Sequence, residues 1–171
     1  LHCHLRRRGK RPKWFGMRQT DRIRIPNRRD ITQRSKTIEK RLEIGHWESD
    51  LVIGTKQHSA IATFAERYSR YCSAVFLAER TAAEMCRAAR ETFRSLPKAL
   101  RQTMTHDNGS EIAKHEQITN ETGVIVYCAR PYASWQRGLN ENTNGLLRDF
   151  FPKGTDFNAV SQRELDRVVH L

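Results

Sequence analysis

The chain has 171 residues, with 31 Lys and Arg against 19 Asp and Glu and a net charge of +12, a length that suits one compact domain or one domain with an appendage. Its longest uninterrupted apolar run, Val124 to Ala129, is six residues; a membrane-spanning helix needs about 20, so a spanning role is excluded. No charged, then apolar, then small-residue pattern opens the sequence, so no signal peptide is expected.

Cys3, Cys72, Cys86 and Cys128 are scattered without a CxxC spacing, which fits a reducing, cytoplasmic setting better than a disulfide scaffold. The charge is uneven. Residues 1–44 hold 15 Lys and Arg against 4 Asp and Glu, whereas residues 45–171 hold 16 against 15. A basic arm beside a near-neutral domain is the electrostatic signature of nucleic-acid binding, because cationic side chains displace the counterions condensed on phosphates. We therefore expect a basic arm or linker over 1–44, with Arg6, Arg7, Arg8, Lys10, Arg11 and Lys13 as sequence-blind phosphate contacts, and a catalytic or binding domain over 45–171. His2-Cys3-His4 has no second pair at zinc-finger spacing and reads as incidental.

In chain order, Pro26 to Asp30 reads as a turn, and Asp30 as the cap of a short helix running to Lys40 and Arg41. From His46 to Gly54 the pattern alternates, with Trp47, Ser49, Leu51 and Ile53 on one side and Glu48, Asp50 and Val52 on the other. Ala60–Glu66 and Tyr71–Leu77 are further β-rich runs joined by short turns, an antiparallel meander. Thr81 and Glu84 hold the capping-box positions of a helix over Ala82–Leu96, ahead of Pro97. A short strand at Met104-Thr105 stops at Asp107-Asn108-Gly109. A helix is expected over Glu111–Glu121, a buried strand over Val124–Cys128 and a helix over Leu139–Phe150. A last helix follows Ser161 and is cut off by Leu171, which reads as a truncated C-terminus. The order β-β-β-α-β-α-β-α predicts an α/β fold, a mixed sheet with helices on both faces.

Three acids occupy unusual positions. Asp50 sits mid-strand, where β-propensity disfavours it and unpaired burial is costly. Asp107 sits at a strand end beside a glycine turn, and Glu141 sits on a predicted helix among amides. Convergent carboxylates hold hard divalent cations for two-metal phosphoryl transfer. The residues alone leave alternatives open: an ion pair to a neighbouring Arg for Asp50, an Asx turn for Asp107, and a solvated helix face for Glu141.

Gly45-His46-Trp47-Glu48-Ser49-Asp50, then Thr105 to Glu111 (THDNGSE), then the 27 residues Pro131 to Phe157 (PYASWQRGLNENTNGLLRDFFPKGTDF) resemble the catalytic core of bacterial insertion-sequence transposases of the thirtieth family. They also resemble the wider D-D-E pattern of retroviral-type integrases, and the 33 residues between Asp107 and Glu141 fit that spacing. The resemblance implies a ribonuclease-H-like fold and a DNA transposase that cleaves element ends and joins the 3′-hydroxyl to target DNA. It implies Mg²⁺ or Mn²⁺ held by Asp50, Asp107 and Glu141 as catalytic residues, and a homo-oligomer working on DNA at the bacterial nucleoid. It places Arg148, seven residues after Glu141, against the DNA end. Asn144, three residues after Glu141, shares its helix face and is a second candidate DNA contact. Glu48 ranks below Asp50 as an auxiliary acid, and Trp47, Tyr132 and Trp135 are expected in the core rather than stacked on bases. The family's helix-turn-helix region has no counterpart before residue 45. The rival expectations are a ribonuclease-H-like nuclease without strand transfer and an inactive DNA-binding relic.

Overall fold

The computed structural model describes residues 25–55, 59–131 and 133–171. The expected contacts at Arg6, Arg7, Arg8, Lys10, Arg11 and Lys13, and the His2-Cys3-His4 cluster, lie outside the described residues, as does Tyr132.

Alternation from His46 builds a long first strand, β1 (His46–Ile53), which leads into β2 (Ala60–Glu66) and β3 (Cys72–Leu77). These three pair antiparallel in sequence order. Thr81 then starts α1 (Ala82–Phe93), its hydroxyl accepting from the Glu84 amide, and so satisfies a backbone donor that the helix leaves orphaned. β4 (Thr103–His106) returns parallel beside β1. Helix α2 (His115–Thr122) ends at Gly123, whose φ of 76° is the left-handed cap that glycine adopts without strain. β5 (Ile125–Cys128) adds parallel to β4, and the strand order is β3-β2-β1-β4-β5. Helices α3 (Gly138–Phe150) and α4 (Gln162–His170) complete the chain, α4 being capped by Ser161 at the Glu164 amide.

Each face of the sheet carries its own apolar layer. Trp47, Phe64, Met104 and Val126 pack with Met85 and Phe93 of α1 and Ile118 of α2. Phe93 meets Trp47 and Phe64 edge-on, with ring centroids 5.2 and 5.3 Å apart, the geometry that ring quadrupoles favour. On the other face Val52, Ile61 and Ala74 pack against Leu147, Phe151, Phe157 and Leu165. A period of two in β1 therefore sends Trp47 to the α1–α2 side and Glu48, Asp50 and Val52 to the α3–α4 side.

One expectation is corrected. The segment Glu111–Glu121 is not one helix: a 3₁₀ turn spans Ser110–Ile112 and α2 starts only at His115. The reason is that Glu111 turns inward to His106 and is 7% exposed. Residues 25–44, the described part of the basic segment, pack on the domain. Asp30 caps a 3₁₀ turn at Ile31–Gln33, and Ser35 caps a second at Lys36–Lys40. The Arg29 carbonyl accepts from the Cys128 amide at 2.8 Å, Ile31 and Ile38 are buried, and Arg34 donates to Thr105 Oγ1 at 2.8 Å.

The β2–β3 turn contains a buried acid that holds backbone. Glu66 accepts from the amides of Gly45, Tyr68 and Ser69 and from the Ser69 hydroxyl. Burial pushes its carboxyl pKa up, but these donors outweigh burial and hold it below the usual carboxylate value. A depressed folded pKa contributes stability that is present above the unfolded value and lost as pH falls through the folded one. Glu66→Gln should therefore be less stable than wild type near neutrality and lose less on acidification from about pH 6 to about pH 3. Urea titrations at each pH check this; parallel curves for the two proteins would remove Glu66 from the acid response.

Candidate active site

The site grows from β1 and β4 lying side by side. Glu48 pairs in register with Thr105, so Asp107, two residues beyond Thr105, continues the strand face that carries Glu48 and Asp50. Each aspartate is oriented by its own backbone. Asp50 Oδ1 accepts from the Leu51 amide at 2.9 Å, and Asp107 Oδ1 accepts from the Gly109 amide at 3.0 Å, the latter as an Asx turn. That leaves the two Oδ2 atoms facing outward, and both meet one guanidinium. Arg137 Nη1 is 3.0 Å from Asp50 Oδ2, and Arg137 Nη2 is 3.7 Å from Asp107 Oδ2. Nη1 also donates to the Ser49 carbonyl at 3.3 Å.

Helix α3 lies over this pair. Asn144 Nδ2 donates to Asp50 Oδ2 at 3.3 Å, while its Oδ1 accepts from Thr63 Oγ1 at 2.8 Å; Thr63 is the β2 partner of Asp50. Glu141, one turn before Asn144, is exposed and makes no hydrogen bond or ion pair among the described residues. The helix start is held from below: Glu48 Oε2 accepts from the Asn140 amide at 3.0 Å, and Glu48 Oε1 pairs with Arg67 Nη1 at 2.6 Å. A carboxylate at a helix N-terminus complements the positive end of the helix dipole. Glu48 is fully buried, so it anchors α3 and is not an auxiliary acid open to solvent.

Behind Asp107 lies a second polar group that sequence reasoning missed. His106 is fully buried, with Nδ1 2.7 Å from Ser49 Oγ. Its Nε2 faces Asp107 Oδ1 at 3.3 Å and Glu111 Oε1 at 3.4 Å. Burial pushes the imidazole pKa down, but Glu111, Asp107 and Asp50 outweigh it and the net shift is upward. For Glu111, burial raises the carboxyl pKa and contact with His106 more than reverses it. His106, Asp107 and Glu111 present ligand-type atoms within 4.8 Å of one another. His106 Nε2 thus lies within ion-pair distance of both carboxylates. The signal for this group was the run Thr105 to Glu111 itself, where His106 directly precedes Asp107.

The remaining expected residues are placed as follows. Arg148 donates from Nη2 to the Ile53 carbonyl at 2.7 Å and from Nη1 to the Phe151 and Pro152 carbonyls at 3.4 Å. Its guanidinium thus ties the end of β1 to the end of α3. Trp47 is in the core as expected. Trp135 is not: it lies on the 3₁₀ turn Ser134–Arg137, 74% exposed. Oxygen-only donors turned toward one cationic position suit a hard divalent ion such as Mg²⁺ or Mn²⁺, and Asp50 and Asp107 meet that condition.

The integrase core domain model matches residues 41–134, a span that includes Asp50 and Asp107 and ends seven residues before Glu141. The chain is 46% identical over 165 residues to the transposase InsI of insertion element IS30A from Escherichia coli K12, covering 96% of this chain and 42% of that protein. It is 44% identical over 152 residues to the transposase of IS1086 from Cupriavidus metallidurans, covering 88% and 45%. The chain therefore spans less than half the length of these relatives. In fold it is similar to a chain of the simian T-cell lymphotropic virus intasome in complex with PP2A regulatory subunit B56 gamma (TM-score 0.59, 20% identity, 75% of this chain and 48% of that one). It is also similar to the catalytic core of BIV integrase (TM-score 0.55, 17% identity, 73% and 80%). The mixed five-stranded sheet with helices on both faces is thus the ribonuclease-H-like fold of these cores.

Proposed function

This chain belongs to the integrase core domain family, and from that premise we propose that it is the catalytic part of a DNA transposase of an insertion sequence, working by metal-dependent phosphoryl transfer. The observation that carries this reading is the convergence of Asp50 Oδ2 and Asp107 Oδ2 on a single cation beneath α3. Asp50, Asp107 and Glu141 would hold Mg²⁺ or Mn²⁺. When bound, the ion supplies positive charge that makes a water or 3′-hydroxyl nucleophile more acidic and neutralises the phosphate.

The chain's own residues set the positions. The Leu51 and Gly109 amides fix each aspartate so that its second oxygen points outward. His106 supports Asp107 from inside, and Glu48 fixes the start of the helix that carries Glu141. Asn144 keeps α3 in register over Asp50. DNA is the substrate, and Arg6, Arg7, Arg8, Lys10, Arg11 and Lys13 would contact its phosphates. Arg148 would reach the DNA end if its carbonyl contacts yielded to phosphate, and Asn144 would contact DNA if its bonds to Asp50 and Thr63 yielded likewise. We further propose a homo-oligomer on DNA, acting in the bacterial cytoplasm at the nucleoid.

The test incubates the full chain with duplex DNA bearing an element end, and Mg²⁺ or Mn²⁺. Metal-dependent 3′ cleavage followed by joining of the new end to a second duplex is the expected result. Cleavage without joining would indicate a nuclease, and binding without cleavage an inactive relic.

A further inference from the structure

We infer that Arg137 is a built-in counter-cation that competes with divalent metal for Asp50 and Asp107, so that loading the site requires its guanidinium to leave. The inference rests on the proposal that these aspartates are metal ligands, and goes beyond it by assigning a role to a residue outside the acidic triad.

Three observations carry it. First, the free coordination positions coincide with the guanidinium. Both Oδ1 atoms are committed to main-chain amides, and Arg137 is the cation that faces the Oδ2 atom of each aspartate, alongside the neutral Asn144 amide at Asp50. An ion on those oxygens sits at about 2.1 Å. With Nη1 at 3.0 Å from the same Asp50 oxygen, two cations would share one ligand atom in a partly desolvated site, where repulsion is strong. Second, Arg137 is placed for this by its backbone. It closes the 3₁₀ turn Ser134–Arg137 and precedes α3, with φ −128° and ψ 37° outside the helix. The side chain enters beneath the helix that carries Glu141 four residues on. Third, the guanidinium is held incompletely. Its side chain is 12% exposed, deeper than those of Asp50 (27%) and Asp107 (40%), and its Nε is buried without a hydrogen-bond partner. A buried unpaired donor carries a desolvation cost, so the arrangement is a resting state that strong competition can displace rather than a rigid strut.

The physical effect is a neutralised site. Two clustered carboxylates repel each other, and one planar fork spans them as a single ammonium cannot. Metal then binds against that internal partner, and apparent affinity falls by the factor that the partner supplies.

The experiment measures Mn²⁺ binding to the full chain, without DNA, from the electron paramagnetic resonance signal of the free ion. The proteins are wild type, Arg137→Met, Arg137→Lys and Asp107→Asn. Arg137→Met should bind Mn²⁺ about tenfold more tightly than wild type, with Arg137→Lys between them and Asp107→Asn weaker than all. Melting curves should place Arg137→Met below wild type without metal and narrow the gap as Mn²⁺ rises. If Arg137→Met does not fold, Arg137→Lys carries the test and must still bind more tightly than wild type. Equal affinity for wild type and the Arg137 variants, with Asp107→Asn weakened, would overturn the competition and leave the metal site standing. Absence of Mn²⁺ binding in every protein would overturn the metal site and the competition together.

Discussion

Glu48→Gln is expected to destabilise the protein by about 3–5 kcal/mol, the range for removing one partner of a buried ion pair. The Glu48 and Arg67 side chains are 0% and 5% exposed, and their closest atoms are 2.6 Å apart. Burial pushes the Arg67 guanidinium pKa down and Glu48 pushes it back up; at the nearby buried Arg34, burial and Arg67 push down while Glu39 and Glu48 push up. Loss of Glu48 leaves Arg67 without its buried partner. It also frees the Asn140 amide at the start of α3, so the helix over the aspartates should loosen along with the core. Replacing both members of the pair, as Glu48→Leu with Arg67→Met, should cost less than the sum of the single changes, because no unpaired charge remains. Denaturant titration of the four proteins checks this. A loss below about 1 kcal/mol in Glu48→Gln, the scale of a surface pair, would show that Glu48 is not the anchor described.

Most of the sheet was legible because its signals are local. Alternation over His46–Gly54 located β1 to within a residue. The turns before Ala60 and Tyr71 marked the meander, and Thr81, Gly123 and Ser161 marked helix ends by side-chain and backbone chemistry confined to one turn of chain. The packing of residues 25–44 was not legible because it is not local. Arg29 and Asp30 meet Cys128 across the sheet edge, a contact that neither composition nor periodicity encodes.

The site was legible in part for the same reason. Asp50 stood out because it violates the strand pattern around it, and Asp107 because it ends a strand at a glycine turn. Arg137 did not, since its partners lie far away in sequence and nothing distinguishes it from an ordinary residue at a helix entry. Glu48 shares a strand face with Asp50 and so read as an auxiliary acid ranked below it. What separates them is position along β1: Glu48 lies under the start of α3, whereas Asp50 lies further along, where the side chain reaches solvent. Trp135 was expected inside, but Trp47, Phe64 and Phe93 already fill the layer on the α1 side, and the turn that carries Trp135 lies outside both apolar layers.

The claim at the centre of the account is that three acids form one metal-dependent catalytic set, and Glu141 is its least constrained member, exposed and beyond the end of the matched family region. Glu141→Gln keeps side-chain size and nearly all of the helix propensity while removing one negative charge and one hard oxygen ligand. Loss of positioning and electrostatic stabilisation together costs about a hundredfold or more in rate. DNA affinity should hold or rise slightly, because a charge that repels phosphate is gone. The decisive measurement pairs the metal-dependent cleavage rate with DNA affinity on the same preparations of wild type and Glu141→Gln. The expected result is a rate loss of at least about a hundredfold at undiminished affinity. Cleavage by Glu141→Gln at the wild-type rate would contradict it and move the third ligand to another acid, Glu111 first.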